Sequence, residues 1–161
     1  LEKAEKYFKE YYPEAHSCYG QLYLVRGLFE KMKGNREEAR RYLKKSIEAK
    51  ENLYIKRKAI REAPSWKLLV DYELAVMEIE ENKFDSALKL LLKNNEIAKI
   101  YFYKDHFIFG KMAFRIGQAY IALNQKDEAE KYLNNCIINL TRSLGHNHPF
   151  VSESERYLKI K

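Results

Sequence analysis

A chain of 161 residues, 46% hydrophobic and 33% charged, can bury a continuous apolar core without disulfides, which excludes a disordered or disulfide-stapled protein. Only 6 Gly and 3 Pro leave little turn material for a sandwich of strands, so the fold class expected is all-α. The net charge of +7 permits an acidic partner but divides as +3 over residues 1–80 and +4 over 81–161, too evenly for a nucleic-acid footprint, and no apolar run nears the roughly 20 residues that cross a bilayer.

In chain order, Leu1 opens inside a helical pattern, without Met and without a signal segment, so the chain reads as a fragment of a longer cytoplasmic protein. Ala4, Phe8 and Tyr11 predict a helix over residues 1–13 that Pro13 ends. Three helical hairpins follow, at 17–51, 66–100 and 107–143. Their second helices begin after polar turns at Gly34-Asn35, Asn82-Lys83 and Asn124-Gln125. Each second helix carries an acid in its first turn, Glu37, Asp85 or Asp127, where the helix dipole favours it. Each also buries an alanine and an aliphatic face: Ala39, Leu43 and Ile47; Ala87, Leu91 and Leu92; Ala129, Leu133 and Ile137. The alanines recur at intervals of 48 and 42 residues, a spacing that makes this a repeat protein. One hairpin cannot bury its whole apolar face, so the hairpins stack as a solenoid. Between the first two, Glu51 to Pro64 reads as an extension of the second helix with a break near Pro64. Residues 149–161, with Val151, Tyr157, Leu158 and Ile160, form a capping helix.

Few residues suggest chemistry. Cys18 and Cys136 are distant in sequence and read as small buried residues of a reduced protein. His146 and His148 with Cys136 lack a fourth metal ligand at familiar spacing, so no metal is expected. Glu78, Glu80 and Glu81 suit an exposed turn better than acid–base work, and Gly110, Gly117 and Gly145 are too isolated for a phosphate loop, so no cofactor and no enzyme activity are expected. Lys56, Arg57, Lys58 and Arg61 spread around a helix as a solvated face in preference to a phosphate site. Of the 13 tyrosines most fall at core spacing, while Tyr101, Phe102, Tyr103, Phe107 and Phe109 crowd into an aromatic corner, read as packing in preference to a binding edge.

The third hairpin, Ala113-x-x-Ile116-Gly117-x-x-Tyr120 followed by Ala129-x-x-x-Leu133, resembles the tetratricopeptide repeat family. The first keeps Tyr23, Gly27, Ala39 and Leu43 and the second Leu74, Ala75, Ala87 and Leu91, but Glu30 and Glu78 stand where the family prefers an aromatic. Leu144-Gly145-His146-Asn147-His148-Pro149-Phe150-Val151 resembles the link of long repeats such as those of kinesin light chains, and is similar to a segment in the C-terminal helical domain of SET and MYND domain proteins. Nothing in the chain resembles the catalytic SET portion.

The resemblance implies a superhelix whose first helices line a concave groove for a peptide or partner protein. By position, Gln21, Leu24, Leu28 and Lys31, then Leu69, Tyr72, Val76 and Ile79, then Lys111, Phe114, Gln118 and Ile121 line it, with Arg115 beside Lys111. Unless a terminal helix fills it, such a lining suits an apolar or aromatic anchor, with Lys111 and Arg115 for acidic residues. The family's carboxylate clamp is matched only by Lys111 and Arg115, since Leu24, Leu28 and Glu73 occupy its other positions. An adaptor that binds a peptide and a scaffolding helical domain that packs against an enzyme both remain open, with no membrane partner and nucleic acid disfavoured.

Overall fold

The computed structural model describes residues 2–12, 18–57 and 63–159, with side chains over 3–12, 18–51 and 66–159. Pro13, Ile160 and the side chains of Lys56, Arg57, Lys58, Arg61 and Pro64 lie outside the described residues. Among those described are eight helices and no strand: α1 (Glu2–Tyr11), α2 (Cys18–Met32), α3 (Arg36–Arg57), α4 (Ala63–Glu80), α5 (Phe84–Tyr101), α6 (Phe107–Ala122), α7 (Lys126–Leu144) and α8 (Pro149–Lys159). The fold is all-α and built of helical repeats.

Three connections share one geometry. Gly34, Asn82 and Asn124 each take a left-handed backbone, φ 83°, 59° and 58°. In each, the next N–H reaches back five residues: Asn35 to the Glu30 carbonyl at 2.9 Å, Lys83 to Glu78 at 2.8 Å and Gln125 to Tyr120 at 2.9 Å. The left-handed residue itself donates three residues back, to Lys31, Ile79 and Ile121, each at 3.0 Å. This pair of bonds is the Schellman motif, which satisfies the last carbonyls of one helix while reversing the chain. Glycine or asparagine is needed because a side chain with a branched Cβ clashes in this conformation. Lys83 and Gln125, which then start α5 and α7, make no side-chain capping bond. The acids just inside, Asp85 in α5 and Asp127 and Glu128 in α7, compensate at the positive end of the dipole.

Contacts divide the chain into two compact units, Leu1–Val70 and Asp71–Lys161. In the first, α2 packs along α3, with Leu22, Ala39 and Leu43 buried. A Cβ added at Gly27 would stand 2.9 Å from Leu43 Cγ, so glycine is what lets these helices touch. The buried hydroxyl of Ser46 donates to the Gly20 carbonyl at 3.0 Å. Tyr19 closes α1 from the other side, its hydroxyl 3.0 Å from the Phe8 carbonyl and 3.2 Å from that of Tyr12. Glu30, the acid at an aromatic position, is buried as part of a polar knot: Arg26 Nε lies 3.1 Å from one carboxylate oxygen and Asn35 Nδ2 donates to the other at 2.7 Å.

In the second unit, Ala113, Phe114, Leu133, Cys136, Leu140 and Val151 form one core shared by α6, α7 and α8. The α6–α7 contact repeats that of α2–α3 with Gly117 against Leu133. Asn139 of α7 fastens the start of α6, accepting from Gly110 N at 3.0 Å and donating to the Lys104 carbonyl at 3.3 Å. Gly145 ends α7 at φ 92°. His148 then caps α8, its Nδ1 accepting from Phe150 N at 3.2 Å with Pro149 at the first helical position.

Candidate functional site

The positions that the sequence places in the groove fall in both units. Leu24 and Leu28 on α2 and Leu69 on α4 belong to the first unit, and Tyr72, Val76, Lys111, Phe114, Arg115 and Gln118 to the second.

In the second unit, α4 contributes Tyr72 and α6 contributes three positions one turn apart, Lys111, Arg115 and Gln118, since residues three and four apart share a helix face. Lys111 Nζ sits 5.2 Å from the centroid of the Tyr72 ring, within cation–π range. Arg115 Nη1 donates to Gln118 Oε1 at 2.8 Å, and its guanidinium carbon lies 5.0 Å from the Phe150 ring and 5.3 Å from Phe114. Its Nε is buried without a hydrogen-bond partner. Burial pushes the Tyr72 phenol above its ordinary range, opposed by the neighbouring Arg115 guanidinium, so Tyr72 stays neutral and acts as a ring and a hydroxyl.

Phe114 does not stand as an open groove wall. It is 0% exposed, and Phe150 from α8 stacks on it, centroids 4.2 Å apart and planes within 12°. Tyr72 and Val76 are buried as well. The terminal helix therefore occupies this part of the second unit, and the apolar lining expected at Phe114 is core. Of the α6 positions expected in the groove, those left partly exposed are Lys111, Arg115, Gln118 and Ile121, three of them polar or cationic. Phe150, which completes the surroundings of Arg115, was visible in sequence only as part of the link. Its role follows from the path of Gly145 to Pro149, which no spacing rule encodes.

In the first unit Leu24 and Leu28 are half-buried and Leu69 is exposed. Leu28 lines an open cavity of about 670 Å³ together with Val25, Phe29 and Met32 of α2, ringed by Lys3, Arg26 and Lys33. The most exposed of these is Met32, at 86%. These three neighbours of Leu28 were missed in sequence because they lie one position around the helix from the face that the family's geometry selects.

Cys136 is buried beneath α8, its Sγ 3.8 Å from the Phe150 carbonyl, and burial pushes its thiol up, as for an inert core cysteine. His148 is the cap of α8, and His146 Nε2 lies 3.7 Å from Glu155 Oε1. Among the described residues no group of three or more His, Cys, Asp or Glu side chains is arranged to hold a metal ion, and no helix is long and apolar enough to cross a membrane.

Residues 20–53 and 110–137 match the tetratricopeptide repeat family. The matched stretches hold most of α2 and α3, and most of α6 and α7. Corresponding residues are 90 positions apart, so Gly27, Ala39 and Leu43 fall on Gly117, Ala129 and Leu133, and both sets make the same close contact. No curated protein matches the chain.

Proposed function

We propose that this chain, with tetratricopeptide repeats over residues 20–53 and 110–137, is a non-catalytic interaction module that receives a peptide or partner protein on the surface of Lys111, Arg115 and Gln118. Tetratricopeptide repeats generally mediate contacts between proteins. The observation that carries the proposal is the cation pair, which has no carboxylate partner among the described residues and is propped on aromatic rings, Lys111 on Tyr72 and Arg115 on Phe114 and Phe150. A guanidinium held by a ring stack and a glutamine loses little freedom when it meets a carboxylate, so an acidic side chain of the partner is its natural complement. Tyr72, Val76 and Phe114 serve this surface from beneath, and in the first unit Leu24, Leu28 and Leu69 offer apolar contact to the anchor of a partner. A cytoplasmic setting, hairpins at 17–51, 66–100 and 107–143 in one repeat domain, and the long-repeat subtype of kinesin light chains belong to the same proposal.

The test is selection from a displayed random-peptide library by the intact chain and by a Lys111→Ala, Arg115→Ala variant, both checked for helicity. Peptides enriched in acidic residues and retained only by the unsubstituted chain support the proposal, with a loss of about tenfold or more for a charge-assisted contact. Equal retention by both chains removes it. The second reading, a scaffolding domain packed against an enzymatic domain of a longer chain, is favoured by the exposed α2 stripe of Val25, Phe29 and Met32. It predicts no peptide enrichment and loss of the large-protein contact on Phe29→Asp.

A further inference from the structure

The aromatic corner between α5 and α6 is packed only in part, Phe102 and Phe109 being half-buried, and it is not part of the surface above. Ile100 and Tyr103 are 75% and 73% exposed, and Tyr101 and Phe107 are exposed beside them. Their arrangement is fixed. His106 stacks on Phe102 at 4.4 Å and on Phe107 at 4.5 Å, meets Tyr103 edge-on at 5.7 Å, and caps α6 by accepting from Ile108 N at 3.3 Å. Asn139 holds the turn from behind through the Lys104 carbonyl. The stack holds Tyr103 and Phe107 beside the exposed Ile100 and Tyr101, and leaving these four side chains in water has a cost that a partner surface would remove.

The charges around the tip have one sign left over. Glu96 is taken by Lys99 at 2.6 Å and Asp105 faces Arg142 at 3.7 Å. Lys89, Lys93 and Lys104 are exposed and have no carboxylate partner among the described residues. On α5, Lys89, Lys93 and Ile100 fall on one face, at intervals of four and seven, so the lysines lead along the helix into the apolar tip. Lys93 stands about 10 Å along the axis from Ile100, comparable with a Debye length at physiological salt.

We propose that the α5–α6 tip is a peripheral docking point for an anionic lipid bilayer, with Ile100 and Tyr103 entering the headgroup region while Lys93 and Lys104 face the lipid phosphates. Two observations favour a bilayer over a protein. Four exposed apolar residues at one turn are far below the 20 to 30 residues per side of a stable protein interface, whereas they suffice to seat an interfacial anchor. Tyrosine, apolar in body with a polar hydroxyl, is the side chain enriched at the headgroup level, and lysines near the surface add the second attraction that reversible anchoring requires. The expectation of no membrane partner rested on spanning length, which says nothing of a peripheral contact.

The experiment is co-sedimentation of the full chain with vesicles of phosphatidylcholine alone and of phosphatidylcholine mixed with phosphatidylserine. The expected result is binding to the mixed vesicles only, weakening as salt rises, lost in Ile100→Asp, Tyr103→Asp, and falling about fivefold for each of Lys93→Gln and Lys104→Gln. Circular dichroism checks each variant, and if the aspartates unfold the chain, Ile100→Ser, Tyr103→Ser takes their place with the same loss expected. Failure to sediment with the mixed vesicles overturns the proposal, as it would if the tip served a protein. Undiminished binding by the tip variant overturns it too, as does an equal loss in Lys111→Gln, Arg115→Gln, which would mark a diffuse response to net charge.

Discussion

Single residues decide how closely the helices approach and where charge is buried. A Cβ at Gly117 would stand 2.7 Å from Leu133 Cδ2 and 2.8 Å from its Cγ, too close for a mere rotation of the methyl groups. Gly117→Ala is therefore expected to cost about 1–3 kcal/mol by overpacking, partly offset by alanine's helix propensity of up to about 1 kcal/mol, as read from the denaturation midpoint. Gly34→Ala destabilises for another reason: nothing lies within 4 Å, but φ is +83°, and only the backbone conformation resists. At Glu30, the Asn35 hydrogen bond, with help from Lys33 and Arg26, holds the carboxyl below the ordinary glutamate range despite burial, which pushes it up. A carboxyl lowered in the folded state stabilises it above the unfolded value, and that contribution disappears as pH falls through the lowered one. The stability gap between the natural chain and Glu30→Gln should thus close as pH falls from above to below the ordinary glutamate range of about 4.3; a gap that stays constant on acidification would rule out the linkage.

At the scale of the element, turns and caps do more than propensity. Asn82 and Asn124 hold left-handed backbones that glycine adopts without strain, so Asn124→Gly is expected to be neutral or to stabilise by up to about 1 kcal/mol. Thermal melting would show it, and a clear destabilisation would mean that the asparagine side chain has a role of its own. Helix α8 depends on its start. His148 accepts the Phe150 N–H only as a neutral ring with its proton on Nε2, and the same turn brings Phe150 onto Phe114. His148→Ala should loosen α8 by about 1 kcal/mol, seen as faster amide exchange over residues 150–158. Phe150→Ala should go further and expose Phe114, so that an exposed-core dye binds the second unit.

At the scale of the whole molecule, each unit has a core of its own in which a buried alanine sits where two helices touch. Ala39 is 0% and Ala129 3% exposed, and an arginine at either would put a charge between two touching helices. Ala39→Arg should strip exchange protection from α2 and α3, and Ala129→Arg from α6 and α7. A variant that keeps protection at the substituted pair would contradict the close helix contact. The sequence alone determined the all-α class, the hairpin turns at Gly34, Asn82 and Asn124, and the faces carrying Ala39, Ala87 and Ala129. All of these follow from periods of three to four residues and from local backbone sterics, which act between near neighbours in the chain. Only the tertiary structure decided that Phe114 is roofed by Phe150, that Glu30 is a buried knot with Arg26 and Asn35, and that Lys111 and Arg115 rest on rings. The same structure turned the aromatic corner at Tyr103 outward, where its sequence density had suggested packing. Helical periodicity says which residues share a face, but which face meets a neighbour depends on the direction in which a turn sends the next helix. A five-residue link such as Gly145 to Pro149 sets that direction through backbone angles, and composition does not encode it.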